Sequence, residues 1–269
     1  YDKIVMAEDL HGLEAQLVTD VGMDAPYTVV ADEQTWEAMG RRIAKALRSL
    51  GKVNEIIFKS PHASLSEVVN LKQKLVGATS VIAVGSGSVN DLCKHATFQL
   101  GLRYSVFGTA ASMNGYTSKT ASMALESGLK VSLPSHAPAG FFADLKVSAE
   151  APPYLAAAGF GDCLCRSVAQ IDWWMSHRLF DTPYYEEPYL IEIPDEKELN
   201  SRAHLLPAGD ITAIGYLHRV LTLCGLGMAF TNSSRHGSMG EHQVSHYIDC
   251  FAGKRHPGTL HGQQVGVAS

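Results

Sequence analysis

The sequence predicts a two-part chain: an α/β half built on a parallel sheet (residues 1–149), then an all-helical half (residues 150–269). Three observations carry this reading. As far as Gly108, apolar runs rich in β-branched residues alternate with segments of helical period, the pattern of a parallel sheet covered on both faces. From Pro152 onward the apolar residues recur at helical spacing. Between the halves, Ser118 to Val147 holds short strand-like pieces separated by Gly, Ser and Pro.

Taken in order, the opening YDKIVMA reads as a strand, and Tyr27 to Asp32 (YTVVAD) as a buried strand ending at an acid. Trp36 to Leu50 has helical spacing of Trp, Met, Ile, Ala and Leu, with Gly51 as its stop. The run EIIFKS, the helical SLSEVVNLKQKLVG, the run SVIAVG, the helical SVNDLCKHATFQLG and the run RYSVFGT follow. KTASMA, GLKVSL and GFFADLKV then predict a hairpin-containing connector. The helical half comprises PPYLAAAG, GDCLCRSVAQIDWWMSHRLF, ITAIGYLHRVLTLCGLGMAF and GEHQVSHYIDCF. The chain stops at GVAS in mid-element, so truncation at the C-terminal end is expected.

Bulk properties exclude several classes. With 46% hydrophobic and 18% charged residues, the chain has the makings of a real core. The formal net charge is -5 and no Lys/Arg run appears, so nucleic acid is not an expected partner. No apolar run approaches the ~20 residues that span a bilayer, and the N-terminus lacks a charged head followed by an apolar stretch. The five cysteines lack disulfide-framework or zinc-ribbon spacing. They read as reduced, mostly buried thiols, and the expected location is cytoplasmic.

Two turns carry chemistry in the first half. Gly85-Ser-Gly-Ser-Val-Asn-Asp91 follows a strand and opens a helix, where free backbone N–H groups and the positive end of the helix dipole suit a pyrophosphate. The third glycine of the common dinucleotide fingerprint is replaced by Asn90, and no acid lies ~20 residues downstream. The best acid candidate is upstream, Asp32. A second polar turn, Gly108 to Ser118, follows the next strand. Either turn by itself is also explained as plain chain reversal.

In the second half His242 and His246 stand at i, i+4, which on a helix puts both imidazoles on one face. The motif lacks the HExxH glutamate, so metalloprotease chemistry is excluded. His261 precedes a glycine, and Asp162 lies among small residues in GFGDCLCR. Imidazoles plus a carboxylate with an open position suit a catalytic zinc or similar divalent ion. With twelve histidines in the chain, such pairs also arise by chance, and spacing alone leaves the metal reading open.

The motifs GSGSVNDLCK, GTAASMNGYTS, AAGFGD, GEHQVSH and LHGQQVGV, in this order, resemble the glycerol-1-phosphate dehydrogenases. That family sits in the superfamily of iron-containing alcohol dehydrogenases, glycerol dehydrogenases and dehydroquinate synthases. The resemblance implies a dehydroquinate synthase-like fold and chains that continue beyond GVG with further helices. It implies a metal held by Asp162, His242 and His261, which moves the second metal histidine away from His246. Zinc is the first expectation, with nickel and iron as alternatives. The resemblance also implies NAD, or alternatively NADP, held by Gly85, Gly87, Ser88, Val89, Asn90, Asp91, Thr109, Ala110, Ala111, Ser112 and Ser118. Asp32 matches the acid that holds the adenosine ribose in NAD-preferring relatives. Asn114, Asp162 and His246 would touch a phosphorylated polyol or ketone, with Asp162 and His246 in catalytic roles and a homo-oligomer as the assembly. The implied reaction is hydride transfer between dihydroxyacetone phosphate and sn-glycerol 1-phosphate. Rival readings are a glycerol or other polyol dehydrogenase, a dehydroquinate-synthase-like lyase, and a non-catalytic nucleotide-binding module. Three departures stand out: Asn114 where the family usually has Asp, Ser86 in place of a glycine, and SSRHGSMGEH where relatives tend to show Pro-Ala-Ser-Gly.

Overall fold

The computed structural model describes residues 1–126 and 129–269. The chain forms two compact units. One comprises Tyr1–Ala110, Thr120–Ser127 and Val131–Glu150; the other comprises Ala111–Lys119, Gly128–Lys130 and Ala151–Ser269.

Ala111–Lys119, expected in the α/β half, group with the second unit; the first unit is an α/β body. Its elements are β1 (Lys3–Ala7), α1 (Glu14–Asp20), β2 (Tyr27–Asp32), α2 (Glu33–Thr35), α3 (Arg41–Leu47), β3 (Val53–Phe58), α4 (Leu65–Lys74), β4 (Ser80–Gly85), α5 (Gly87–Leu100) and β5 (Arg103–Gly108). They are followed by β6 (Thr120–Ala124), β7 (Lys130–Pro134), β8 (Gly140–Asp144) and α6 (Leu145–Glu150). A π-turn, Trp36–Gly40, joins α2 to α3, so the helix predicted from Trp36 starts a turn earlier and is wider in its middle. Asp32 closes a capping box with Thr35, which explains the earlier start.

Six strands pair in parallel in the order β1-β8-β5-β4-β2-β3. The residues of β4 and β8 are buried throughout, as strands covered on both faces must be. Val29, Ala31, Ile82, Val84, Phe107 and Phe142 meet α1 and α3 in one core, with Leu17, Val18 and Ile43 filling it. Of the three pieces expected in a connector, β6 and β7 form a small two-stranded sheet, whereas GFFADLKV does not belong there. Its β8 inserts into the main sheet between β1 and β5, where Phe141 and Phe142 are fully buried. The buried Asp144 at its end accepts from the Leu10 N–H and pairs with Arg42, which also binds Glu14 at 2.9 Å.

This topology sets the ligand-binding edge. From β2 the chain goes to β3 on one side, while β4, on its other side, leads on to β5. The strand order therefore reverses between β2 and β4, and a crevice opens beyond the carboxyl ends at such a point. Ala31 pairs with Val84 and Gly85 with Gly108, so Asp32, Ser86 and Thr109 all leave the sheet at the same edge.

The second unit holds α7 (Pro153–Phe180), α8 (Glu187–Arg202), α9 (Ile211–Thr231), α10 (Gly240–Phe251) and α11 (His261–Ala268). PPYLAAAG and GDCLCRSVAQIDWWMSHRLF, read as two helices, are one helix of 28 residues. Gly159 and Gly161 interrupt its propensity but not its course. α8 was not expected: Pro194 and the charged PDEKE stretch mask its helical period. α9 is long and apolar enough to cross a membrane by length and composition, where no such run is expected from the sequence; 61% of its most apolar window is buried inside the protein.

α7 and α11 lie almost backbone to backbone. A Cβ on Gly161 would stand 2.2 Å from the Gly262 carbonyl oxygen, and one on Gly262 would stand 2.0 Å from that of Ala158. Small residues at these crossings let the two helices approach far more closely than larger side chains would permit. The register of that contact brings Asp162 on α7 to the first turn of α11, which begins at His261.

Candidate active site

Three side chains from three helices converge in the second unit. Asp162 on α7, His242 on α10 and His261 on α11 offer one donor atom each, all within 4.8 Å of one another. Asp162 and His242 are buried. His242 Nε2 stands 3.5 Å from Asp162 Oδ1, and the His242 and His261 rings meet edge-on with centroids 4.9 Å apart.

Each member is held from behind. Asp162 Oδ2 accepts a 2.8 Å bond from the backbone N–H of Asn114. His242 Nδ1 lies 2.7 Å from Glu241 Oε1. A carboxylate can only accept, so Nδ1 carries the proton and a neutral ring turns its Nε2 lone pair toward Asp162. His261 Nδ1 lies 2.7 Å from Ser245 Oγ.

The electrostatics follow from this layout. Burial pushes the Asp162 carboxyl up, but the hydrogen bond and charge of His242 outweigh it and hold the carboxyl below its usual range. Burial alone would lower His242; Asp162 and Glu241 more than offset it and push the imidazole up to about 9. His261 goes the other way, pushed down to about 4 by burial and by His242 against the pull of Asp162. His246 is lowered by burial, His242 and Lys130.

These residues meet the requirements of a divalent ion. Asp162 Oδ1 is buried and makes no well-formed hydrogen bond, its nearest polar neighbour being His242 Nε2 at 3.5 Å. In the ion-free site a protonated His242 supplies the positive charge that a bound cation would replace. Two imidazoles and a carboxylate are the donors that zinc, iron or nickel accept. His246, the i+4 partner that spacing suggested, is not in the cluster. Its ring lies 5.5 Å from that of His261 and 6.3 Å from that of His242. Two other donor groups occur among the described residues: Cys165, Glu241 and His242, and Glu192, Cys224 and His236. The first shares His242 with the cluster already described. The second is closed by a direct 2.7 Å His236–Glu192 bond, and Arg166 at 3.5 Å already supplies positive charge to Glu192. His236 is one of the departures from the family pattern, and this buried pair is what it makes.

In the second unit Ala111 and Ser118 are buried, and Ser112 and Asn114 are partly exposed. The stretch is pinned by Thr117 Oγ1, which donates to the Thr222 carbonyl at 2.9 Å. Asn114 touches Asp162 through its backbone, so this contact does not depend on whether Asn or Asp stands there.

In the first unit Asp32 ends β2 and its Oδ1 accepts from the Thr35 N–H at 2.8 Å. Gly85 ends β4, and a Cβ there would strike Val89 at 2.8 Å, so the turn itself requires glycine. Gly87 to Asp91 form the first turn of α5, whose leading N–H groups have no intrahelical acceptor. Ser88 is exposed, whereas Val89, Asn90 and Asp91 are buried. Asp91 accepts from Asn90 Nδ2 at 3.0 Å and from the Ser122 N–H at 3.1 Å, which anchors β6 to α5. Thr109 and Ala110 are buried beyond β5.

Sequence reasoning missed Glu241, Ser245 and Gln264. A signal for each was present: an acid next to a metal-type histidine, and residues at i+3 from His242 and His261, where a helix places side chains on one face.

The family model of iron-containing alcohol dehydrogenase matches residues 5–152, more than half of the chain. A glycerol-1-phosphate dehydrogenase (NAD(P)+) of Bacillus velezensis is 34% identical over 252 residues, 89% of this chain and 63% of its own length. One from Thermococcus kodakarensis is 29% identical over 269 residues, 99% of this chain and 75% of its own length. The chain thus spans just under two thirds of the Bacillus relative. The crystal structure of glycerol dehydrogenase from Schizosaccharomyces pombe shares the fold, with a TM-score of 0.79 at 20% identity, covering 99% of this chain and 69% of that one. On the family match and the shared architecture, the chain belongs to the iron-containing alcohol dehydrogenase family.

Proposed function

We propose that the protein interconverts dihydroxyacetone phosphate and sn-glycerol 1-phosphate by NAD(P)-linked hydride transfer, with a divalent ion held by Asp162, His242 and His261. The observation that carries the reading is the convergence of the buried Asp162 carboxylate with two imidazoles from two other helices, their donor atoms all within 4.8 Å. The substrate is carried by the similarity to relatives bearing that name.

An ion held there supplies a Lewis acid for the oxygen on the carbon that exchanges hydride. Glu241 and Asn114 fix the two ligands before substrate arrives, so little reorganisation is needed. His246, one turn beyond His242 and kept neutral by burial, is proposed to orient the substrate hydroxyl or carry its proton. The segment Gly87 to Asp91 is proposed to hold the pyrophosphate, through the leading N–H groups that precede Asn90, whose own N–H is taken by the Ser86 carbonyl. The turn Thr109 to Ser112 with Ser118 is proposed to contact the rest of the cofactor. Asp32 would accept from a ribose hydroxyl and repel a 2′-phosphate, which favours NAD over NADP. Zinc is the proposed ion. The five free cysteines support a reducing, cytoplasmic setting.

The test is elemental analysis with a panel of glycerol 1-phosphate, dihydroxyacetone phosphate and glycerol on the wild type and on Asp162→Ala. The expected result is about one ion per wild-type chain, turnover of the phosphorylated pair, and loss of both in the variant. Metal and turnover that survive the substitution would refute the ligand assignment. Preference for glycerol would refute the substrate.

A further inference from the structure

The rings of His242 and His261 are both set up to turn Nε2 toward Asp162, by different means. His242 uses a carboxylate next to it in sequence, whereas behind His261 stands no acid but a chain of neutral groups whose protons can be counted. Gln264 Nε2 lies 3.0 Å from Asp249 Oδ1 and 3.3 Å from the Thr259 carbonyl. Both of these only accept, so the amide must present its NH2 to them and its Oε1 to the other side. On that side Ser245 Oγ lies 2.7 Å from Oε1. An amide oxygen has no proton to give, so Ser245 donates its single hydrogen to Gln264. Ser245 Oγ therefore faces His261 Nδ1, at 2.7 Å, with lone pairs only.

We propose that Ser245 and Gln264 are positioning residues that force the proton of neutral His261 onto Nδ1 and so reserve Nε2 for the ion. The relay is anchored at its far end, where Asp249 pairs with Lys130 and lies 2.9 Å from His256 Nε2. These partners hold the Asp249 carboxylate as an acceptor. A flipped Gln264 would face its oxygen to Asp249 at 3.0 Å and to the Thr259 carbonyl at 3.3 Å, against the single weaker gain of His256 Nε2 at 3.3 Å. Ser245 is fully buried and Gln264 nearly so, and water has little access to substitute for either. Ser245 meets the cluster at His261 Nδ1, and Gln264 meets Ser245. Their action passes through His261 alone, and a histidine locked in the other tautomer would point an N–H at the place a cation must occupy.

The inference rests on the ion-binding reading for its purpose but not for its first measurement. Nitrogen-15 shifts of the His261 ring in metal-free protein, at a pH where the ring is neutral, report the tautomer directly. The expected result is Nδ1–H in the wild type and in Ser245→Thr, which keeps the hydroxyl, and a mixture in Ser245→Ala. Zinc affinity, by competition with a chromogenic chelator, should fall about 10–100-fold in Ser245→Ala and recover in Ser245→Thr. A wild-type ring carrying its proton on Nε2 overturns the proposal, and needs no variant to fold. So does a Ser245→Ala protein, native by circular dichroism, that keeps the Nδ1–H form and wild-type affinity. A wild type with the Nδ1–H ring but no zinc binding would instead sink the ion reading and leave the relay standing.

Discussion

Replacing Gly262 by alanine tests the geometry that builds the proposed metal site. The new Cβ would stand 2.0 Å from the Ala158 carbonyl oxygen and 2.8 Å from its carbon, about 1.4 Å inside the 3.4 Å at which ordinary contact begins. Two effects compete. Alanine is the better helix former by about 1 kcal/mol, which favours the variant. The obstacle, however, is backbone of a 28-residue helix and cannot swing aside like a side chain. Overpacking of this kind costs about 1–3 kcal/mol, and the sterics should win. Relief comes most readily by moving α11 off α7 by about an ångström, whereas metal–ligand distances tolerate only about 0.2 Å. Gly262→Ala should therefore lose zinc affinity more than tenfold and lose stability in urea. Val267→Ala, at a position 91% exposed on the same helix, should change neither. A Gly262→Ala protein with wild-type zinc affinity and unfolding midpoint would refute the claim that this crossing sets the cluster.

The remaining predictions concern charge. Glu241→Gln removes the carboxylate behind His242 Nδ1; zinc affinity should fall about 10–100-fold by chelator competition, with helicity unchanged. His242, pushed up to about 9, holds a proton at neutral pH that an ion must displace. Raising the pH removes that proton beforehand, so affinity should rise nearly tenfold per unit between pH 6 and 8, and a flat profile would count against the assignment. His218 is fully buried and its imidazole is pushed down to about 4. Below its ordinary value of 6.5 the unfolded chain takes up a proton that the folded chain refuses. Stability should thus fall as pH drops from 6.5 toward 4, and His218→Gln should flatten that part of the urea profile. Asp91→Ala removes the negative charge facing the buried Lys94 and should destabilise the α/β unit by about 3–5 kcal/mol.

The sheet was legible because its strands are continuous apolar runs bounded by glycine, serine and acids. Each of β2, β4 and β5 falls where its run predicts. β8 was misassigned because GFFADLKV resembles the short strands next to it, and only pairing with β1 and β5 separates it from them. Local pattern does not encode such non-local pairing. In the helical half, GFG made one helix look like two. Gly161 reflects contact with α11, a partner more than ninety positions away, and Gly159 the close approach of the Ala111 carbonyl. The cluster itself was half legible. Spacing favoured His246, and only the order of several motifs pointed to His261. An i, i+4 pair shares a helix face, but which member meets Asp162 depends on where α11 crosses α7. Gln264 and Ser245 were invisible because their role is a direction of hydrogen bonding, not a residue type.

On the proposed ligand set, the close seam between α7 and α11 would also make the ion a clasp. α11 packs against α7 and carries His261 on its first turn. Its docking and occupancy of the cluster are therefore linked equilibria. Free zinc at a hundred times its dissociation constant would hold the docked state by about 2.7 kcal/mol. Stripped of the ion, the segment from Gly253 to Gly258 that leads into α11 should become the first place a protease enters. The supply of a trace metal would then set how long the protein survives as well as whether it works.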